Sequence, residues 1–376
     1  MLRVLYLINH AGKAGTEAYI RSLADRLSTA GSIEPFLAYH EAGLLSEQMQ
    51  ERGFETFRLV MRHPFDLAAA WKLARLCRLR KIDIIHAQYL RENYIALFSR
   101  ILNPPVRVIY TNHFILKNNF FLKCCNFLLS GLQAAVVAVC NPGRRRMEKN
   151  WVRPGRITVI FNGVDPQYWG NREASTLREE FGIPPDKMIL LCGSRFEYDK
   201  GHEYLVNAIA ALKKRTSRPF VFILANDGPF LETRRRQVRE LGLEDTVIFA
   251  GHRKDVKNLY DGSDIYVNAS WHEALSFAII EAMAEGLPVV ATRMGGNPDI
   301  VSGEYGNGIL VTYGDADELA EVLDGLMGDP ERRRKLSEGG RRAVAEKFNL
   351  DIMVSKTYNL YQKVTGQQGG TAHADG

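Results

Sequence analysis

Short apolar, β-branched runs alternate with helical patterns along almost the whole chain, and this alternation constrains the fold more than any other feature of the sequence. Such an order is typical of βαβ units, in which helices cover a parallel sheet. The predicted strands are 3–8, 82–86, 106–110, 135–139 and 158–161, then 188–192, 220–225, 247–249, 265–268, 289–291 and 308–311. Helical stretches such as 16–27 and 65–79 separate them. The sequence therefore predicts an α/β protein with two successive doubly wound sheets.

A polar stretch separates the two groups of strands. It begins after Asn162-Gly163, a turn-forming dipeptide, and continues to a pair of prolines at 184–185 with little periodicity. A chain of 376 residues is long enough for two domains, each with its own core. We predict one domain over residues 1–163, a second over 164–345, a C-terminal helix within 346–364, and a disordered tail at 365–376.

Charge is divided unevenly between the two predicted domains. The net charge of +6 consists of +11 over residues 1–165 and −5 over the remainder. The basic half suits a nucleic acid, an anionic membrane or a phosphorylated ligand, or is simply a solvated basic surface. The sequence carries no helix-turn-helix, zinc-finger or RNA-binding signature, so we predict no nucleic-acid partner. Five scattered cysteines without a CxxC pair predict reduced thiols and a cytoplasmic location.

Two segments of the basic half bear on membrane contact. The uncharged run at 124–143 is long enough to cross a bilayer, but its internal polar residues and Pro142 predict a helix followed by a buried strand. Residues 116–129 mix aromatic residues with lysines, and three consecutive arginines follow at 144–146. These segments suit a peripheral site on an anionic membrane, or else a core helix and an ordinary basic surface helix.

Ligands of open α/β sheets bind at the carboxyl ends of the strands, so the residues that follow each strand are the candidates for chemistry. After the first strand, Gly12 and Gly15 lead into a helix whose N-terminus attracts anions, although a plain tight turn fits as well. His113 follows the strand predicted at 106–110, where it suits a hydrogen bond to a sugar hydroxyl, a proton transfer or a structural role.

Two cations follow the first strand of the second half. Arg195 and Lys200 lie on a loop flanked by glycines. A guanidinium fork and an ammonium group at such a place suit a diphosphate, and the alternative is two solvated surface cations.

The segment after the strand predicted at 265–268 contains the spacing Glu273-x7-Glu281. If its helix begins near Ser276, Glu273 lies in the entry loop and the free amides at 274–278 point toward a phosphate. Glu273 then suits a sugar and Glu281 a ribose diol. Alternatively, Ser270-x-x-Glu273 is a capping box, and Glu273 bonds only to its own backbone.

Metal ligation has one candidate, the spacing Asp315-x-Asp317. The stretch that it opens is typical of a helix with acidic residues in its first turn, which is the interpretation we favour. No other His, Cys and Asp cluster has metal-ligand spacing. We predict no metal and no cofactor.

Taken in order, these segments resemble glycosyltransferase family 4 over nearly the whole chain. The resemblance rests on the motifs Ala-Gly-Thr-Glu (14–17), Ile-Ile-His-Ala (84–87), Asn-His (112–113), Ile-Phe-Asn-Gly-Val-Asp (160–165), Lys-Gly (200–201) after Arg195, Asn-Asp-Gly-Pro (226–229), Glu273-x7-Glu281, Gly-Leu-Pro-Val-Val-Ala-Thr (286–292), Gly-Gly-Asn-Pro-Asp (295–299) and Gly-Asn-Gly-Ile-Leu-Val (306–311). It implies the GT-B fold: two facing doubly wound Rossmann-like domains, with a C-terminal helix that crosses back to the first.

The resemblance also implies roles for individual residues. Arg195 and Lys200 face the donor diphosphate, Glu281 faces the ribose, and Gly15 and His113 approach the donor and the transferred sugar from the other domain. Glu273 and the amides that follow it face the sugar and the distal phosphate; the donor-binding residues of this segment are Ala274, Leu275, Ser276 and Phe277. Where the family often has Glu-Gly-Phe-Gly and Gly-Gly, this chain has Glu-Ala-Leu-Ser (273–276) and Ala-Gly (14–15). We expect the added β-carbons to narrow the room for the donor sugar.

The expected activity is a retaining, metal-independent transfer of a hexosyl group from a UDP- or GDP-sugar to a glycan or lipid-linked glycan. The resemblance associates this with bacterial envelope or exopolysaccharide synthesis, in the cytoplasm or on the inner face of the membrane. Two alternatives stay open: a nucleotide-sugar epimerase of similar two-domain fold, and a non-catalytic sugar-nucleotide-binding protein.

Overall fold

The computed structural model describes residues 1–12 and 15–367, so Ala14 and the end of the predicted tail lie outside the described residues. The chain forms two compact units. The first contains residues 1–162 together with the segment from Asp351 onward, and the second is Gly163–Leu350.

The sheet of the first unit has seven parallel strands in the order β3-β2-β1-β4-β5-β6-β7. The strands are β1 (Leu2–His10), β2 (Ile33–Glu41), β3 (Glu55–Arg58), β4 (Ile84–Ala87), β5 (Arg107–Asn112), β6 (Ala135–Ala138) and β7 (Ile157–Val159). Strand β1 lies in the interior of the sheet, between β2 and β4, and is almost wholly buried, as its apolar sequence requires for a sheet covered on both faces.

The sheet of the second unit has six parallel strands in the order β10-β9-β8-β11-β12-β13. The strands are β8 (Met188–Cys192), β9 (Phe220–Ala225), β10 (Val247–Gly251), β11 (Ile265–Asn268), β12 (Val289–Thr292) and β13 (Ile309–Val311). Its core includes the buried residues Leu190, Phe222 and Val290. The reversal of strand order at β8 and β11 marks the edge where doubly wound sheets bind ligands.

Helices connect the strands in both units. Those of the first unit are α1 (Gly15–Thr29), α2 (Leu44–Glu51), α3 (Leu67–Leu79), α4 (Leu90–Leu102), α5 (Phe120–Leu129) and α6 (Asn141–Lys149). Those of the second are α7 (Pro166–Gly170), α8 (Leu177–Glu180), α9 (His202–Arg215), α10 (Leu231–Glu240), α11 (Val256–Asp261), α12 (Phe277–Glu285), α13 (Asn297–Ile300), α14 (Ala316–Gly328) and α15 (Pro330–Glu346). The last helix, α16 (Leu350–Thr365), follows α15 after a short connection.

Helix α16 is fixed to the first unit by a buried polar contact. The hydroxyl of Tyr361 lies 2.6 Å from Nδ1 of His86 on β4, and Nε2 of that histidine lies 2.6 Å from the hydroxyl of Thr111 on β5. All three side chains are fully buried. Burial lowers the pKa of His86 to about 3, so its imidazole is neutral and exchanges hydrogen bonds with both hydroxyls. The C-terminal helix therefore returns to the sheet at which the chain began.

The predicted α/β class with two doubly wound sheets is confirmed, and all six predicted strands of the second half are present. The prediction for the first half missed β2 and β3. Strand β2 contains Pro35, which lacks an N–H for the ladder, and β3 is a four-residue edge strand with no fully buried residue. The run at 124–143 forms the end of α5, then β6 and the start of α6. Among the described helices, none combines the length and the apolar character needed to cross a bilayer.

Candidate functional site

Two loops of the second unit carry most of the predicted site residues. One follows β8 and contains Arg195 and Lys200; the other follows β11 and contains Glu273. Because β8 and β11 are neighbouring parallel strands, their carboxyl ends bring both loops to one edge of the sheet.

Lys200 ends a 3₁₀ turn (Tyr198–Lys200) that precedes α9. Its ammonium Nζ lies 3.0 Å from Oε2 of Glu273 and 3.3 Å from Oδ2 of Asp199. Burial alone lowers the pKa of a lysine, but the two carboxylates outweigh it, so the pKa of Lys200 lies above its ordinary value. The Lys200 side chain is only 19% exposed, so the structure holds a permanent cation in a fixed position.

The loop after β11 is tied to this turn by its backbone. The amide of Trp271 donates to the carbonyl of Asp199 at 3.0 Å, and the indole N–H donates to the carbonyl of Tyr198 at 3.1 Å. Two glycines with positive φ pack against the same loop, Gly201 against the carbonyl of Ala269 and Gly295 against that of Glu273. A Cβ at either glycine would overlap the carbonyl oxygen, so both close approaches need glycine.

Helix α12 begins at Phe277, and Ser276 caps it by accepting a hydrogen bond from the amide of Ile279 at 3.4 Å. The prediction of a helix starting near Ser276 is therefore confirmed, and the alternative capping box that starts at Ser270 is wrong. The helix geometry leaves the amides of Phe277 and Ala278 without an intrahelical acceptor. These amides form the positive end of the helix dipole. Ala274 and Leu275 lie in the loop between Glu273 and this helix start.

Glu281 lies on the second turn of α12 and is partly buried. The hydroxyl of Tyr260 donates to its Oε2 at 3.2 Å, and the Tyr260 ring stacks on that of Tyr266. Burial raises the pKa of Glu281 to about 7, although the hydrogen bond from Tyr260 opposes this shift. A carboxyl group in this state accepts hydrogen bonds from a diol whether or not it carries a charge.

Arg195 is less firmly placed than Lys200. Its side chain is 57% exposed, and its Nη1 lies 3.5 Å from Oε1 of Glu197. The structure pairs it with this neighbour rather than with Lys200 and Glu273. The sequence predicted that both cations lie on one loop. It did not predict that only Lys200 would be held by partly buried carboxylates.

Two predicted site residues lie in the first unit, at the carboxyl edge of its sheet. Gly15 begins α1. His113 follows β5, and its Nε2 lies 3.0 Å from Oε1 of Gln88. Since the amide nitrogen of Gln88 donates to the carbonyl of His86, its oxygen accepts from Nε2–H of His113. Burial lowers the pKa of His113 to about 3, so the ring is neutral and its Nδ1 is an acceptor.

The Asp315-x-Asp317 spacing has a structural role in the fold. Oδ1 of Asp315 accepts a hydrogen bond from the amide of Glu318 at 2.9 Å and caps α14, while Asp317 lies in the first turn. No group of three or more metal-ligating side chains occurs within residues 1–12 and 15–367.

Sequence reasoning missed two residues of the site. Asp199 shares the Lys200 ammonium with Glu273, and its position directly before Lys200 was the available signal. Tyr260 hydrogen-bonds Glu281 from α11, and only the three-dimensional structure brings them together.

Comparison with known families agrees with this geometry. Residues 173–343 match the model "Glycosyl transferases group 1", and residues 14–168 match the model "Glycosyltransferase Family 4". The chain belongs to glycosyltransferase family 4. The predicted family is thereby confirmed.

Similar proteins include other glycosyltransferases. The chain is 28% identical to the N-acetyl-alpha-D-glucosaminyl L-malate synthase of Bacillus anthracis over 310 residues, 80% of each chain. It is 30% identical to the lipopolysaccharide core biosynthesis glycosyltransferase LpsE of Rhizobium meliloti over 226 residues, 59% of this chain and 63% of that protein.

Solved structures confirm the GT-B fold of this family 4 chain. A glycosyltransferase from Rickettsia africae superposes with a TM-score of 0.88 at 23% identity, covering 98% of this chain and 99% of that one. Anabaena Alr3699/HepE in complex with UDP-glucose superposes with a TM-score of 0.82 at 20% identity, covering 97% and 100%.

The raised pKa of Glu281 predicts a pH-dependent stability. Between the ordinary value of 4.5 and about 7, the folded protein keeps a proton that the unfolded chain releases, so stability falls as pH rises through this window. The side chain of the Glu281→Gln variant cannot ionise. Across this pH window, the free energy of unfolding of the variant should therefore rise by about 1–2 kcal/mol relative to that of wild type. Urea unfolding at about pH 5 and about pH 8 measures this difference. Glu244→Gln, at an exposed position of the same unit, is the control. If both variants changed the pH dependence of the unfolding free energy equally, the raised pKa of Glu281 would be contradicted.

Proposed function

We propose that this chain transfers a hexosyl group from a nucleotide-sugar donor, a UDP- or GDP-sugar, to a glycan or lipid-linked glycan, with retention of anomeric configuration and without a metal. The observation that carries the proposal is the fixed Lys200–Glu273 pair beside the N-terminus of α12, on the ligand-binding edge of the second sheet. Two findings support the proposal: the chain belongs to a glycosyltransferase family, and the similar Anabaena structure is a complex with UDP-glucose.

The negative charge that develops on the leaving nucleotide is what such a site must stabilise. Lys200, the more exposed Arg195 and the amides of Phe277 and Ala278 supply positive charge or N–H groups without a metal. Preorganised donors of this kind are worth about 3–4 kcal/mol each in a transition state. An exposed ion pair contributes under about 1 kcal/mol to stability. This difference is why the partly buried Lys200 is the central residue of the proposal.

Glu273 has two effects on the donor. Its contact with Lys200 positions the ammonium, and its other carboxylate oxygen is available to a sugar hydroxyl. Glu281 is proposed to accept hydrogen bonds from the ribose diol. The chain has Ala274 and Ser276 where the family often has glycine, and Leu275 where it often has phenylalanine. These differences are proposed to select the donor sugar.

Retention is proposed to follow from attack on the face from which the nucleotide departs. In that scheme the acceptor oxygen forms the new bond to the anomeric carbon as the old carbon–oxygen bond breaks, and the leaving phosphate takes the acceptor's proton. His113 and Gly15 are proposed to contact the transferred sugar and the donor. The neutral His113 ring accepts a hydrogen bond at Nδ1, which suits a sugar hydroxyl.

Envelope or exopolysaccharide synthesis is the proposed pathway. One relative supports it, the lipopolysaccharide core biosynthesis glycosyltransferase LpsE of Rhizobium meliloti. None of the five cysteines, all of which lie within the described residues, forms a disulfide, which agrees with a reducing compartment such as the cytoplasm.

We also propose that the first unit rests on an anionic membrane. Helix α5 fully buries only Asn126, while Leu122, Cys125 and Leu129 pack partly buried against the core of the first unit. Phe120, Phe121, Phe127 and Leu128 are each between 58% and 73% exposed. Exposed apolar groups in this number mark an interaction surface rather than a solvated one.

Basic residues flank this apolar surface. Lys123 lies over the ring of Trp151, 5.8 Å from its centroid, and the arginines at 144–146 lie on the neighbouring helix α6. Helices that bind the surface of an anionic membrane typically combine basic side chains with exposed aromatic ones. The inner face of a cell membrane is the proposed location.

Removal of either predicted cation should abolish most activity. Lys200→Ala also leaves Glu273 and Asp199 without their shared cation, facing the donor phosphates, so we expect turnover to fall about 10³-fold. Arg195→Ala should cost about 10²-fold. Transfer is measured with UDP- and GDP-sugars and an acceptor in the presence of EDTA, where wild type should keep its full rate.

The matched control is Lys213→Ala, which removes an exposed cation of α9 that pairs with Asp245. This variant should retain wild-type turnover. A Lys200→Ala enzyme within threefold of wild type would end the proposed donor clamp. Loss of wild-type activity in EDTA, with rescue by Mn²⁺, would contradict the metal-free mechanism.

Flotation with liposomes tests the membrane proposal. Wild type should float with vesicles that contain phosphatidylglycerol and stay behind with neutral vesicles. Phe120→Ala with Leu128→Ala should lower binding at least about tenfold, since each apolar side chain contributes about 1.5–3 kcal/mol when buried. The control is Leu67→Ala with Leu79→Ala on α3, which removes two side chains that are each 65% exposed. Equal flotation of the two double variants would reject the assignment of α5.

A further inference from the structure

A pocket of about 400 Å³ lies on the second unit, a size typical of small-molecule sites. Residues that follow β8, β9 and β13 line it, beside the first turns of α9, α10 and α14. Of the residues that the structure describes in this lining, none is Lys200, Glu273 or Glu281. The pocket is therefore separate from the residues that are proposed to bind the donor.

Exposed aromatic rings are concentrated in this pocket. The structure describes the whole of the second unit, and three of its four exposed Phe, Tyr and Trp residues line the pocket. They are Tyr198, Phe230 and Tyr313, which are 74%, 37% and 39% exposed; the fourth is Tyr168 on α7. A ligand in the pocket can reach these three rings directly. Exposed apolar groups that cluster in this way mark an interaction surface.

The loops that carry two of these rings are joined by their backbones. The amide of Phe196 donates to the carbonyl of Asp227 at 2.8 Å, and the amide of Phe230 donates to the carbonyl of Phe196 at 3.1 Å. The centroids of the Tyr198 and Phe230 rings are 6.3 Å apart. These hydrogen bonds hold the two rings side by side.

The third ring is also held in place. The hydroxyl of Tyr204 on α9 donates to the carbonyl of Asp315 at 3.1 Å, and the Tyr204 ring packs against that of Tyr313 with their centroids 5.5 Å apart. The aromatic lining is thus formed before any ligand arrives. A preformed lining lowers the entropic cost of binding.

Charge in and beside the lining is balanced. Oε2 of Glu203 lies 3.4 Å from Nη1 of Arg234, and Oε1 of Glu197 lies 3.5 Å from Nη1 of Arg195. Burial lowers the pKa of His202 to about 4, so this ring is neutral at pH 7. Because each carboxylate of the lining already has a guanidinium beside it, the pocket suits an uncharged ligand better than a cation.

We propose that this pocket binds a pyranose unit of a glycan chain, which stacks on the rings of Tyr198, Phe230 and Tyr313. One face of a pyranose is a layer of C–H groups, whose partial positive charge is attracted by the negative face of an aromatic ring. The hydroxyl groups at the edge of the sugar can reach the exposed side chains of Glu203 and Asn207. A neutral polyol with an apolar face therefore matches both the rings and the balanced charge.

The site would hold a glycan on the same unit that binds the donor. Tyr198 belongs to the 3₁₀ turn that ends at Lys200, so the bound sugar lies beside the turn that carries the central cation of the donor site. A chain bound there stays at a high effective concentration between transfers. This role rests on the proposed function, whereas the binding of a glycan to the pocket does not.

Saturation-transfer NMR tests the binding without any donor. The probes are maltotriose, cellotriose, mannotriose and triacetylchitotriose, with tetramethylammonium as the cationic comparison. At least one trisaccharide should bind wild type, and Phe230→Ala and Tyr313→Ala should each weaken that binding about threefold to tenfold. Tyr313→Phe, which keeps the ring, should bind like wild type. Tyr168→Ala is the matched control, since it removes the exposed ring that lies outside the pocket.

UDP affinity is measured on the same samples and should be unchanged in the pocket variants, which also shows that the second unit stays folded. A parallel loss of UDP and trisaccharide affinity would assign the rings to the donor site or to folding, and would overturn the proposal. It is likewise overturned if none of the four trisaccharides binds wild type, if Phe230→Ala and Tyr313→Ala both bind like wild type, or if tetramethylammonium alone binds. Absence of UDP binding to wild type would count against the proposed function, while the trisaccharide result decides this inference.

Discussion

The fixed distance between the loops after β8 and β11 is the constraint on which the candidate site depends. Two hydrogen bonds from Trp271 and the ion pair between Lys200 and Glu273 hold these loops together. Gly201 and Gly295 allow the backbone to approach closely enough for those contacts. Because the loops are anchored in neighbouring strands, the cation and the N-terminus of α12 are in place before any donor binds, which is what preorganised electrostatic stabilisation requires.

The two units differ in the kind of polar group that they present at the edges of their sheets. The second unit presents a held cation and open amides, which suit an anion. The first unit presents an exposed apolar surface on α5, which also carries Lys123. This division agrees with the proposal of an anionic donor at the second unit and an anionic membrane at the first.

Features that depend on local sequence were predictable, and those that depend on distant contacts were not. The apolar strands of the second sheet and the helix start at Ser276 could be identified because period, glycine position and capping chemistry act over a few residues. Strand β2 was missed because Pro35 interrupts its pattern. The contact of Tyr260 with Glu281 arises from tertiary packing, which spacing does not encode.

The central claim is that residues of the loops after β8 and β11 bind the diphosphate of the donor. Hydrogen–deuterium exchange with and without UDP tests it most directly, because open amides at a helix N-terminus become protected when they bind phosphate. We predict protection concentrated in residues 193–201 and 273–281, with the first-unit peptides around Glu92 unchanged. Binding of UDP without protection of those two segments would contradict the account.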